Sequence, residues 1–501
     1  MPLIAGFGML IHTKSRRTKK TIMNTPVKLP SPFVALIPVV VLVTMLFFTI
    51  RTFGSDALSG GSQISLLVTT AVCVLIGMVY CHIPWKDYEQ AITRNITGVA
   101  TSIIILLIIG ALSGAWMVSG VVPTLIYYGM HIIHPDFFLA SACMICTLVS
   151  LMTGSSWTTI ATIGIALMGI GKAQGFHEGW IAGAIISGAY FGDKVSPLSE
   201  TTILAASVTD TPLFKHIRYM MLTTVPAMVL ALVLFTFLGL SVDAVPSTHI
   251  QEFTSRLDQR FTITPWLLIV PLITGMLIAR KIPSIITLTL STALACVAAL
   301  LFQPDVLREI SGEANLFKGV MMSCYGATNL QTSHPALTEL VATRGMEGML
   351  HTVWLILCAM CFGGAMTASR MLESLMAVFV KFMRTRLRLV GSTVCSGLFM
   401  NLVTADQYIS IILTGSMFGE AYRSAGYESR LLSRTTEDAV TVTSPLIPWN
   451  SCGMTQATIL NVATLTYLPF CFFNLLSPVM SIVSAAVGYK IARSCKPVCS
   501  I

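Results

Sequence analysis

Hydrophobic positions dominate this chain in long uninterrupted runs rather than in the period-2 or period-3.6 alternation of water-soluble elements. Apolar segments without charge cover roughly 33–50, 64–81, 97–122, 137–153, 219–240, 264–279, 284–302, 348–369, 391–403 and 466–488. Most reach the ~20 residues that a helix needs to cross a bilayer. Two intervening stretches, 154–208 and 404–465, are rich in Gly, Ser, Thr and Pro yet stay too long and too apolar for ordinary loops. The pattern predicts an all-α polytopic membrane protein with about 10–12 transmembrane helices, some of them broken. Whether 314–332 crosses or re-enters is not decided by its hydropathy.

Polar punctuation in the second half echoes the first at a nearly constant offset. Ser113-Gly114-Ala115 aligns with Gly363-Gly364-Ala365, the segment around Gly164 with that around Gly415, and Ser196-Pro197-Leu198 with Ser444-Pro445-Leu446. Equivalent loops carry opposite charge bias: 127–136 has no Lys or Arg, while 377–388 is strongly basic. Positive charge favours the cytoplasmic side, so the pair predicts two repeats of inverted topology, the architecture of alternating access. The organisation read from this is a disordered cytoplasmic tail over 1–32, a first transmembrane repeat over 33–240, a linker at 241–263, a second repeat over 264–490 and a C-terminal tail at 491–501.

Composition changes the picture little: of 501 residues, 54% are hydrophobic and only 11% charged, against ~25% in a soluble domain. The net charge of +9 resides in short basic clusters beside apolar spans, which fits anionic lipid headgroups and excludes nucleic acid as the expected partner. Lys86, Arg94, Lys381, Arg384, Arg386 and Arg388 mark cytoplasmic faces and place the N-terminus inside, whereas Arg280 and Lys281 leave the mid-chain parity open. The first twelve residues are apolar and Lys14 to Lys20 basic, the reverse of a signal peptide, with Met23 as a second candidate start. The pairs Cys143/Cys146 and Cys358/Cys361 lie inside apolar spans without a neighbouring His, so they read as small helix residues rather than metal ligands.

The candidate chemistry falls in four polar stretches, two per repeat: Gly154 to Thr159, Gly192 to Thr201, Thr404 to Gln407, and Thr443 to Gly453. Pro197, Pro445 and Pro448 remove backbone donors and break helices, which frees carbonyls and exposes half-helix ends at membrane depth. Carboxylates at Asp193, Glu200, Asp406, Glu437 and Asp438 are expensive in a bilayer unless paired or wetted, and each is able to hold a proton or a cation in turn. Ser155, Ser156, Thr158, Thr201 and Asn450 add oxygen ligands for a small hard cation, with Asp193 and Asp406 the expected sodium ligands. Structural readings compete: Lys194 beside Asp193 and Arg434 before Glu437 suit ion pairs, and the Ser155 to Thr159 hydroxyls suit back-bonding to helix carbonyls. His131 and His134 beside Asp136 read as a solvated outer loop, and Arg370 as a helix end at the cytoplasmic interface.

The run Gly154 to Gly169, then Ala182 to Lys194 with Ser196-Pro197-Leu198-Ser199 and Thr201, resembles the signature of the NhaC family of sodium/proton antiporters. Asp406 with Tyr408, Leu432-Ser433-Arg434 with Glu437-Asp438, and Ser444 to Asn450 with Cys452-Gly453 are similar to that family's second block, and the likeness covers roughly 33–490. Glu200 departs from the family's Asp, and Arg344-Gly345-Met346-Glu347 replaces its Gly pair. The resemblance implies a sodium/proton antiporter of the inner membrane with inverted repeats, re-entrant hairpins and homodimers, transporting sodium and protons and needing no cofactor. A sodium-coupled carrier of a small carboxylate or amino acid is the alternative. An enzyme is not expected, since no zinc motif or nucleophile elbow is present, and a channel filter is ordinarily a symmetric ring.

Overall fold

The computed structural model describes residues 29–53, 60–241, 247–280, 282–328, 330, 338, 341–381, 383 and 385–493. Most of the expected N-terminal tail, the markers Lys281 and Arg384, and the last residues of the C-terminal tail lie outside them. The elements are α1 (Pro32–Phe53), α2 (Gly61–Tyr80), α3 (Trp85–Val118), α4 (Val121–Ile132), α5 (Phe138–Thr153), α6 (Ser156–Thr159), α7 (Ile165–Ala173), α8 (Glu178–Val195), α9 (Glu200–Val208), α10 (Leu213–Leu240), α11 (Ser247–Arg260), α12 (Ile269–Ala279), α13 (Ser284–Phe302), α14 (Pro304–Ser311) and α15 (Leu316–Tyr325). They continue with α16 (Gly345–Ala368), α17 (Met371–Lys381), α18 (Arg386–Thr404), α19 (Gln407–Ser424), α20 (Ser429–Thr436), α21 (Ser451–Leu460), α22 (Thr464–Tyr467) and α23 (Phe472–Val487).

Eight of these helices are long and apolar enough to cross a membrane, and two bent pairs raise the total to ten. All ten correspond to the apolar runs of the sequence. The two bent spans turn by 90° before α12 and by 55° before α23, and Pro265 and Leu468-Pro469-Phe470 sit at those turns in short 3₁₀ segments, as expected where a proline interrupts the helical ladder. The undecided stretch 314–332 holds α15, whose ten residues reach only ~15 Å. It is too short to cross.

Glycines of the internal echo sit at close helix crossings. A Cβ at Gly114 would lie 1.9 Å from the Ser323 carbonyl oxygen, so α3 and α15 touch at backbone distance. A Cβ at the equivalent Gly364 on α16 would lie 2.7 Å from the Ile92 Cα on α3. Without hydrophobic attraction between helices in lipid, such close small-residue contacts are a principal source of association. The lipid-facing surface is apolar, with Phe33, Phe47, Phe48, Phe214, Phe237 and Phe317 exposed, and the polar residues face inward.

The two mixed stretches form the interior. Residues 154–208 fold into α6 to α9 and residues 404–465 into α19 to α21, each set interrupted by a π-helical turn, Ile160–Gly164 in the first and Glu437–Thr441 in the second. Cys143 and Cys146 are buried in α5 and Cys358 in α16 as free thiols, which agrees with their reading as helix residues.

Candidate ion-binding site

A helix breaks in the same way in each half of the chain. Thr153 ends α5, Gly154 turns left-handed at φ 67°, and Ser155 caps α6 by accepting from the Thr158 amide. Thr404 ends α18, Ala405 turns left-handed at φ 56°, and Asp406 caps α19 by accepting from the Ile409 amide at 2.9 Å. The hydrogen bonds around the breaks repeat atom for atom. Thr153 Oγ1 donates to the Ser155 carbonyl at 3.1 Å and accepts from the Ser155 amide at 3.1 Å. Thr404 Oγ1 does the same with Asp406 at 2.9 and 3.3 Å. Thr159 and Ser410 each donate from one turn later to the carbonyl of the capping residue, at 2.9 and 2.8 Å. The echo in the sequence is thus an echo in the backbone.

Each break is fastened to the Ser-Pro-Leu break of its own repeat. Asp193, at the end of α8, accepts from the Ser156 amide at 3.2 Å and from Ser156 Oγ at 2.7 Å. Gly154 lies so close to Leu198 that a Cβ would come within 2.8 Å of its carbonyl carbon. In the second repeat Ser451 Oγ donates to Asp406 at 3.3 Å, and the Ser451 amide donates to the Ala405 carbonyl at 2.8 Å. Asn450 caps α21 and donates to the Asn401 carbonyl. Pro197 lies in the α8–α9 turn, Pro445 in a 3₁₀ turn, and Pro448 just after it.

The breaks open into one cavity of about 560 Å³, whose walls include Ser155, Ser156, Asp193, Glu200, Thr201 and Asp406 together with Trp157, Gln407 and Tyr408. Six of the ten expected ion-site residues therefore meet in one space. Asp193 and Asp406 are themselves almost wholly buried. Tyr408 donates to Glu200 at 3.0 Å and so links the two repeats at the cavity. Oxygen is the prevailing ligand atom, in carboxylates, hydroxyls and an amide, which is the donor set of a hard cation. Arg94, Asn95 and Ser102 on α3 also line it; the sequence marked Arg94 only as a cytoplasmic-face residue and gave no sign that Asn95 and Ser102 belong to a site.

The other four candidates are elsewhere. Thr158 is buried and donates to Ser155 Oγ at 3.1 Å, and Thr159 and Thr162 back-bond to helix carbonyls, so the hydroxyl run is partly structural. Asn450 holds backbone. Asp438 is fully buried in an ion pair with Lys194 and also accepts from Thr223 at 2.8 Å, from Ser477 at 3.1 Å and from Ser481. Lys194 thus pairs across 244 residues and not with its neighbour Asp193, because adjacent residues on a helix point ~100° apart. Glu437 is fully buried with neither oxygen hydrogen-bonded, and Arg434 stacks on Tyr219 at 4.8 Å with no hydrogen-bond partner. The anticipated Arg434–Glu437 pair is absent. The partners of Asp438 went unnoticed in the sequence, although Asn474, Ser477 and Ser481 on the mostly apolar α23 are a legible polar stripe.

A second cavity, about 410 Å³, lies toward the other end of α3, lined by Met117, Lys172, Arg344 and Asn461. His134 and Asp136 lie 3.5 Å apart at an exposed corner, and Arg370 follows the end of α16, as read from the sequence, where it pairs with Glu373. Among the described residues no cluster of three His, Cys, Asp or Glu has metal-site geometry.

Comparison with known proteins agrees with this arrangement. The model of the Na+/H+ antiporter family matches residues 188–489. The Na+/H+ antiporter NhaC of Bacillus subtilis (strain 168) is 36% identical over 419 residues, spanning 83% of this chain and 90% of that one. The NhaC antiporter of Alkalihalophilus pseudofirmus is 36% identical over 431 residues, 85% of this chain and 91% of its own. The malate-2H+/Na+-lactate antiporter of B. subtilis is 33% identical over 429 residues, 85% and 89% of the two chains. With matches of this extent on a multi-pass helical framework, the chain belongs to the Na+/H+ antiporter family.

Proposed function

We propose that the protein exchanges sodium for protons across the inner membrane by alternating access, with the N-terminus in the cytoplasm. The observation that carries the reading is the single cavity into which matching helix breaks of both repeats deliver Asp193 and Asp406. A cluster of carboxylate and hydroxyl oxygens at membrane depth is occupied by a proton or by a sodium ion, not both. Competition at one site is then enough to couple the two gradients, and no covalent step is needed. Ser155, Ser156, Glu200 and Thr201 serve as further oxygen ligands, while Glu437, fully buried with no hydrogen bond to either oxygen, is a proton-carrying group outside the cavity lining.

Inverted topology of the repeats supplies the switch of access: the cavity at Asp193 and the one at Arg344 stand toward opposite ends of α3, consistent with one site reached from two sides. Sodium and protons are the transported partners, lipid is the surroundings, and neither a cofactor nor nucleic acid has a role. The malate/lactate relative supports a second reading, a sodium-coupled solute carrier. Lys194, the cation such a carrier needs near its anion, is sealed against Asp438 away from the cavity, which favours the antiporter.

Inside-out vesicles from cells lacking other antiporters test this. With the lumen acidified by respiration, sodium alone collapses the pH gradient, and Asp193→Asn or Asp406→Asn cuts the response by about tenfold or more. A response that requires added malate or lactate assigns the carrier instead.

A further inference from the structure

The cavity is larger and differently walled than a bare sodium ion requires. Its volume of about 560 Å³ lies within the ~300–1,000 Å³ of sites that enclose small organic molecules. The walls include Asp193, Glu200 and Asp406, and also Val99, Leu198 and Ile412, apolar side chains that offer nothing to a metal ion. The aromatic rings of Trp157 and Tyr408 are also in the lining, and an aromatic face attracts organic cations. Against three acidic residues the described lining holds one basic residue, Arg94, which is itself exposed. A site so charged concentrates cations and turns away carboxylates.

From this combination we infer that the cavity also takes small organic ammonium cations, the charged head toward Asp193 and Asp406 and the alkyl part against Val99 and Ile412, in competition with sodium. The inference rests on the reading of this cavity as the sodium path. It separates the substrates by sign: alkylammonium ions enter, while malate and lactate do not.

The test uses the purified full chain in liposomes with an outward proton gradient driving uptake of sodium-22. Ethylammonium and tetramethylammonium are added as competitors; the second has no proton to lose and so cannot shunt the gradient. Malate and lactate are added as potassium salts against a potassium chloride control. The expected result is competitive inhibition by both cations, seen as a raised half-saturation concentration for sodium at unchanged maximal rate, and no effect of either anion. Ile412→Trp, which fills the apolar wall, is expected to raise the half-inhibiting concentration of tetramethylammonium relative to sodium's own half-saturation by roughly fivefold or more, the scale of a mis-sized apolar pocket. Normal sodium-22 uptake that neither cation inhibits overturns the inference and leaves the antiporter standing. Inhibition that lowers only the maximal rate also overturns it, since the cation then binds elsewhere. Failure of sodium-22 to enter under the gradient removes the antiporter reading and this inference with it.

Discussion

Asp406 carries two duties, capping α19 and facing the cavity, and a single substitution separates them. Asparagine caps a helix as well as aspartate does, so Asp406→Asn is expected to fold normally while its sodium exchange falls by about tenfold or more; equal expression with undiminished exchange would remove the residue from the site. Lys194 and Asp438 obey a different rule. Taking one partner from a fully buried ion pair leaves an uncompensated charge and costs ~3–5 kcal/mol, whereas removing both is close to neutral. Lys194→Met should therefore lower the melting temperature in detergent sharply, and Lys194→Met with Asp438→Leu should regain most of the loss. At this scale the sequence was partly readable. Asp193 and Asp406 stood out because carboxylates are rare in apolar surroundings, but the partner of Lys194 did not, because proximity along a chain says little about direction around a helix.

The helix break is the element on which the site depends. Gly154 accepts a positive φ that disfavours L-residues by ~1–2 kcal/mol, and it lies against Leu198 with no room for a side chain. Gly154→Val is expected to separate the α5–α6 break from the α8–α9 turn and abolish sodium exchange; measured by sodium-22 uptake, retention of half the normal rate would refute this. Ala405 holds the same turn under strain, so Ala405→Gly should raise stability by no more than ~1 kcal/mol, strain relief being partly offset by the greater freedom of Gly in the unfolded chain. The long spans were legible as elements because hydropathy alone specifies them. The interior of 154–208 and 404–465 was legible only as trouble. Nothing in Ile160–Gly164 or Glu437–Thr441 signals a π-helical turn, since such a turn is set by what packs around it, and α15 was ambiguous because a half-length helix and a weak span have similar composition.

Across the whole molecule polar contacts join distant parts of the chain. Tyr408 to Glu200 is one, placed at the cavity with Glu200 partly open to solvent. Removing one of three carboxylates weakens the field that gathers cations, so Glu200→Gln should raise the half-saturation concentration for sodium several-fold, on the order of what one rim charge contributes, and the effect should shrink at high ionic strength. An unchanged half-saturation at low salt would show that the mouth plays no such part. The internal echo was the one large-scale feature available from the sequence, and the two helix breaks share one hydrogen-bond pattern; the pairing of Lys194 with Asp438 left no comparable trace.

That pairing has a mechanical meaning. Asp438 sits in the π-helical turn and binds Lys194 on α8, Thr223 on α10, and Ser477 and Ser481 on α23, so one carboxylate acts as a rivet through four pieces of the protein. Pieces riveted at a common point do not slide past one another without breaking several buried bonds at once. Any rearrangement that changes which side the cavity faces must then carry α8, α10, α23 and the turn as one body, and its sliding seam has to run outside them, along the close-packed α2, α3 and α16.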